Sequence, residues 1–150
     1  MERTKRGASA LMALLVLIGI GCGKDKAVGP KPSEITGNWT ATKVEYVSRT
    51  TPQTRVDLIA LGGTVNVAIR EDHAWIYVHT KSGGAPDTTT GTWSLDGDLF
   101  KVQPSGFPFQ WVWDVSLSGN TLALSDADME YDFDDNGTPE MADQFMTLVR

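Results

Sequence analysis

The stretch FPFQWVWDVSL, residues 107–117, sets Phe107, Phe109, Trp111, Trp113, Val115 and Leu117 on one side and Pro108, Gln110, Val112, Asp114 and Ser116 on the other. Alternation over that length is the period of an extended strand, whose successive side chains leave opposite faces, and it does not fit the 3.6-residue period of a helix. One face is apolar and carries four aromatic rings in succession.

Outward from this strand the same period recurs. Residues 64–69 set Val65, Val67 and Ile69 against Thr64, Asn66 and Ala68, and the polar Arg70-Glu71-Asp72-His73 joins them as a hairpin to a strand over 74–80. Strands over 89–95 and 98–102 flank Asp96-Gly97, a dipeptide that tolerates the positive φ of a type I′ turn. Ser118-Gly119-Asn120 closes onto a strand over 121–125. Beyond it Met129, Tyr131 and Phe133 alternate with Asp128, Glu130 and Asp132, and residues 145–150 form the last strand. With 39–47 and a weaker segment at 56–60, eight to ten strands follow one another. No stretch keeps helical spacing for more than a turn or two. The fold class is therefore all-β, an antiparallel up-and-down meander with short connections. Closing it into a β-barrel leaves no open edge. A two-sheet β-sandwich satisfies the same pattern.

The N-terminus carries a different kind of message. Arg3, Lys5 and Arg6 precede an apolar run over 8–20 that is shorter than the ~20 residues a membrane-spanning helix needs, so residues 1–21 are expected to be a signal peptide. Ile18-Gly19-Ile20-Gly21-Cys22 resembles a bacterial lipobox, which implies cleavage before Cys22 and acylation of that residue. Cys22 is the only cysteine, so no intrachain disulfide competes for it. Gly19 and Gly21 also suit ordinary signal peptidase, which would leave a free periplasmic or secreted protein. Residues 22–34 are then the lipidated cysteine and a flexible linker, with Lys24, Lys26 and Lys31 among Gly29, Pro30 and Pro32. Residues 35–150 are one domain, and a domain of that length buries roughly two-thirds of its unfolded surface without disulfides.

Gly37-Asn38-Trp39 opens the first strand, and Gly91-Thr92-Trp93 precedes the Asp96-Gly97 turn. In an exported chain of this length, a Gly-x-Trp motif before a strand meander resembles the lipocalins and the bacterial lipocalin-like lipoproteins. The resemblance spans residues 35–150 and implies a small lipocalin-like barrel with room for an interior cavity. It also implies structural roles: Trp39 closing the barrel floor and Arg150 lying over its ring. For a lipoprotein in a Gram-negative cell, Gly23 stands where an aspartate would retain the protein at the inner membrane. The expected place is the cell envelope, at the outer membrane and facing the periplasm.

Four groups of residues bear on chemistry. Phe107, Phe109, Trp111 and Trp113 are candidate walls for an apolar ligand, although the same face equally suits core filling, because a small barrel is either packed solid or holds one small molecule. Tyr46, Tyr77 and His79 are candidate polar handles for it. Asp132, Asp134 and Asn136, with Gly137, Glu140 and Asp143, follow the oxygen spacing of a calcium loop, so Ca²⁺ is a candidate cofactor. Segment 126–143 holds eight carboxylates and no lysine or arginine, yet an acidic solvated hairpin tip turned by Asn136-Gly137 explains it as well. Catalysis is not expected. His73 and His79 are the only histidines, His73 reads as a solvated turn residue, and neither a phosphate-binding glycine loop nor a nucleophile motif is present.

Losing Glu2, Arg3, Lys5 and Arg6 takes the formal charge from −6 to about −8, which disfavours nucleic acid and anionic lipid as partners. The expectation is a non-enzymatic, lipid-anchored envelope protein that binds or carries a small, largely apolar ligand. The alternative is a structural or protein-interaction module with a filled barrel and an acidic, calcium-binding rim.

Overall fold

The computed structural model describes residues 29–150 except residue 51. The signal peptide at 1–21, Cys22 and the first part of the linker lie outside the described residues. A helical turn, α1 (Pro32–Ile35), leads into nine strands: β1 (Gly37–Ser48), β2 (Arg55–Asp57), β3 (Thr64–Ile69), β4 (Ala74–Thr80), β5 (Pro86–Asp96), β6 (Leu99–Pro104), β7 (Trp111–Ser118), β8 (Thr121–Tyr131) and β9 (Glu140–Val149).

From β3 to β9 each strand pairs antiparallel with the next, and β1 pairs with both β3 and β9. That last ladder runs from Thr40–Val149 to Ser48–Ala142 and closes the sheet into an eight-stranded barrel. The short β2 is the extra strand. It pairs with Glu45, Tyr46 and Val47 of β1, beyond the point where β3 has ended at Thr40–Asn66. Because β1 bridges to β9, the two-sheet sandwich does not form, and the sheet core has no open edge along most of its length.

The barrel is filled at one end. Trp39, Trp75, Trp93, Phe100 and Trp113 are all buried, with Trp93 stacked at 5.8 Å from Phe100, and Phe100 at 6.1 Å from Trp113. At this end α1 seats the fully buried Ile35 against the floor, and the Trp39 Nε1–H donates to the Ile35 carbonyl at 2.8 Å. Pro32 starts the turn, where a missing N–H costs nothing, and the Glu34 carboxylate reaches back to accept the Lys31 N–H at 2.6 Å. Part of the segment expected to be flexible linker is thus ordered as the barrel's plug, because Ile35 has an apolar surface to bury.

Three local expectations are corrected. The alternation that begins at Phe107 becomes a strand only at Trp111: Pro108 has no N–H to offer a ladder, and the Gln103 carboxamide holds the loop by donating to the Phe107 and Phe109 carbonyls at 2.8 and 3.2 Å. The β5–β6 turn sits one residue later than Asp96-Gly97 suggests. Asp96 pairs with Leu99, so Gly97 and Asp98 are the central residues, and positive φ at Gly97 (64°) alone is the type II′ pattern. Finally, 121–125 and 128–133 are not two strands: β8 is continuous across a bulge, where Asp126 takes φ 65° and the register to β9 shifts between Leu124 and Ala127.

Candidate functional site

The bulge at Asp126 has a consequence on the other edge of β8. The β7–β8 ladder runs from Ser118–Thr121 to Asp114–Ser125 and stops there, while β8 continues to Tyr131 paired only with β9. Trp111 and Val112 on β7 are paired only with β6. A seam opens in the wall. The loop between β6 and β7 carries Phe107 and Phe109 to this end of the barrel, where they are 46% and 54% exposed.

Behind the seam lies a cavity of about 600 Å³ that meets the tryptophan floor at Trp75 and Trp113. Volumes of ~300–1,000 Å³ are typical of small-molecule sites. Trp111 and Trp113 line it from the inward face of β7, and Phe107 and Phe109 line its mouth. The four aromatics singled out in the sequence are therefore brought to one cavity, although only two of them lie on a strand. Trp75 packs edge-on against Trp111 at 5.9 Å, and Phe107 lies 5.9 Å from the same ring. Met129, Met141 and Met146 complete the apolar wall, adaptable side chains that fit irregular shapes.

Two of the three expected polar handles reach the cavity. Tyr46 and Tyr77 line it, whereas His79 does not, and burial with the nearby Lys81 pushes the His79 pKa down. The group that sequence reasoning missed is Gln144. It is a buried polar residue at an inward position of β9; its Oε1 accepts the Trp113 Nε1–H at 3.2 Å, and its Nε2 donates to the Tyr46 hydroxyl at 2.6 Å. Tyr46 also stacks on Tyr131 at 4.6 Å. Burial pushes the Tyr46 phenol up to about 12, with the Gln144 hydrogen bond opposing the shift, and burial likewise raises Tyr77. Both phenols are neutral across the physiological range.

Trp39 and Arg150 lie at the opposite end of the barrel. The Arg150 guanidinium carbon is 4.5 Å from the Trp39 ring centroid and its Nη1 donates to the Thr36 carbonyl at 3.1 Å, a contact worth ~0.5–2 kcal/mol that ties the last strand to the plug.

The residues with calcium-loop spacing are only partly brought together. Asp132 accepts the Asn136 and Gly137 N–H groups at 3.1 and 2.7 Å, Asp134 accepts the Asn136 side-chain amide at 2.9 Å, and Asn136 accepts the Thr138 N–H at 2.7 Å. Their oxygens are used to build the turn itself. Glu140 accepts the Phe133 N–H at 3.1 Å. Asp143 faces away to Arg49, whose guanidinium also pairs with Asp128, so the acidic segment is partly balanced from the β1–β2 loop. Among the described residues no three carboxylate, imidazole or thiol groups converge as a metal site would require. His73 is exposed, as a turn residue would be, but its Nδ1 lies 3.1 Å from the Trp93 carbonyl.

No family model, curated protein or solved structure matches this chain. Its function is therefore read from the cavity. Such a pocket, walled by aromatic rings and methionines with a few placed hydroxyls, is suited to enclosing an apolar molecule and orienting it by one or two hydrogen bonds.

Proposed function

We propose that this chain is a lipid-anchored cell-envelope protein whose lipocalin-like barrel binds or carries a small, largely apolar ligand. The observation that carries the ligand reading is the cavity of about 600 Å³ at the seam end, bounded by Trp75, Trp111 and Trp113 and gated by the exposed Phe107 and Phe109. Exposed aromatics beside an aromatic-lined hollow leave apolar surface in water until something covers it. The anchor rests on the sequence alone, through the short apolar run and the lipobox-like residues 18–22.

The ligand reading is tested by titrating the purified protein with N-phenyl-1-naphthylamine, which fluoresces strongly in apolar surroundings. Saturable binding of one equivalent is expected, with quenching of tryptophan emission, and Met129→Trp should narrow the cavity and weaken binding while the melting transition persists. A probe signal that never saturates, or one untouched by Met129→Trp, would remove the cavity as a binding site.

A further inference from the structure

The charge around the cavity is one-sided. Two carboxylates, Asp128 and Glu130, border it from the outward, exposed row of β8, and its lining has no lysine, arginine or histidine. Arg49 pairs with Asp128 and Asp143 together, so one cation is shared between two carboxylates. Glu130 is exposed and makes no ion pair among the described residues. On the outer face of the same seam a shallow groove is lined by Asp114, Asp126 and Asp128 with Gln110, again without a basic side chain. Gln110 and Asp128 border both hollows, so this acidic groove adjoins the cavity.

The interior adds two independent features. Tyr77 lines the cavity and its hydroxyl makes no hydrogen bond among the described residues, which leaves oxygen lone pairs available to a donor inside. The rings of Trp75, Trp111 and Phe107 meet at 5.9 Å spacings, and the electron-rich face of such a ring, not its electropositive edge, attracts a cation once water is excluded. A carboxylate ligand would meet the reverse conditions: loss of its hydration, no cationic partner in the lining, and repulsion from Asp128 and Glu130.

From these conditions we infer that the preferred ligand is an organic cation, an amine or quaternary ammonium joined to an apolar body. Its apolar part occupies the Trp111–Trp113 side, and its charge lies at the seam, towards the rim where Glu130 and Asp128 stand. This deepens the apolar-ligand reading and rests on it. The acidic groove would steer such a ligand to the seam, an effect that salt weakens.

The test uses one alkyl chain with three headgroups: decyltrimethylammonium, decanol and decanoate, each titrated by tryptophan fluorescence below its micelle concentration. The cation should bind about tenfold tighter than decanol, and decanoate more weakly than both. Asp128→Asn with Glu130→Gln should bring the cation to within about twofold of decanol in that same variant, with a retained melting transition as the control for folding. Raising salt should shrink the cation's advantage in the parent protein. If all three headgroups bind alike, or decanoate binds best, the cation preference is overturned while the apolar site stands. If none binds, the apolar-ligand reading falls too.

Discussion

Tyr46 and Gln144 show how single side chains set the character of the cavity. Gln144 occupies the inward row Ala142, Gln144, Met146, Leu148 of β9, where an amide is expensive to bury unless both of its ends are paired. Trp113 and Tyr46 pair them, and the three residues become a hydrogen-bonded bridge across the barrel. Burial raises the Tyr46 pKa from its ordinary 10 to about 12, so the sign of its linkage is fixed. The unfolded chain loses this proton first, and the stabilisation is complete below pH 10 and is lost as pH rises through about 12. Two pH units correspond to about 3 kcal/mol. An ultraviolet titration should show Tyr46 and Tyr77 resisting ionisation until unfolding, and Tyr46→Phe should make the fall in urea stability between pH 10 and 12 shallower. An equally steep fall in the variant would assign it elsewhere. The aromatic walls were legible from period two alone, since it fixes which face Trp111 and Trp113 share. Gln144 was not: a strand read only over 145–150 stops short of it, and the clue was a lone polar residue in an apolar inward row.

At the level of elements, the β8 bulge does more than bend a strand. Asp126 at φ 65° releases β8 from β7 after Ser125, and the seam that gives access to the cavity follows from that release. A short polar residue tolerates this backbone region and a β-branched one does not. Asp126→Val should therefore cost about 1–3 kcal/mol, and Asp126→Gly should be close to neutral, as measured by thermal melts. Equal stability of the two variants would show that the bulge is not held by this residue. The hairpins were legible because turn chemistry is local: the four-residue link at 70–73 and the Gly119-Asn120 closure lie where their residues imply. The bulge was not legible, because an inserted residue breaks the alternation and makes one strand look like two. Gly91 has a similar lesson. A Cβ there would run into the Gln103 carbonyl of β6, so this glycine marks a close approach between strands that no local pattern reveals.

For the whole molecule, barrel closure divides labour between two ends. The plug, Trp39 and Arg150 seal one end, and the other carries the seam, the exposed aromatics and the acidic hairpin. The proposed anchor belongs at this scale, since a tether decides where the barrel works without altering its interior. Detergent phase partitioning is the measurement. The parent protein from bacterial membranes should enter the Triton X-114 phase, and Cys22→Ala should move it to the aqueous phase. A parent that stays aqueous would leave a free periplasmic or secreted binding protein.

The ladder that completes the ring joins Thr40 to Val149 and Ser48 to Ala142, the first strand to the last. Every other ladder can zip as soon as its hairpin has emerged, but this one waits for almost the whole chain to be made. Until then the sheet is an open ribbon with two raw edges, and ring closure, which joins the strands furthest apart in sequence, carries the largest loop-entropy cost. Chaperone dependence and aggregation risk should concentrate in that interval, before β9 arrives to remove both edges at once.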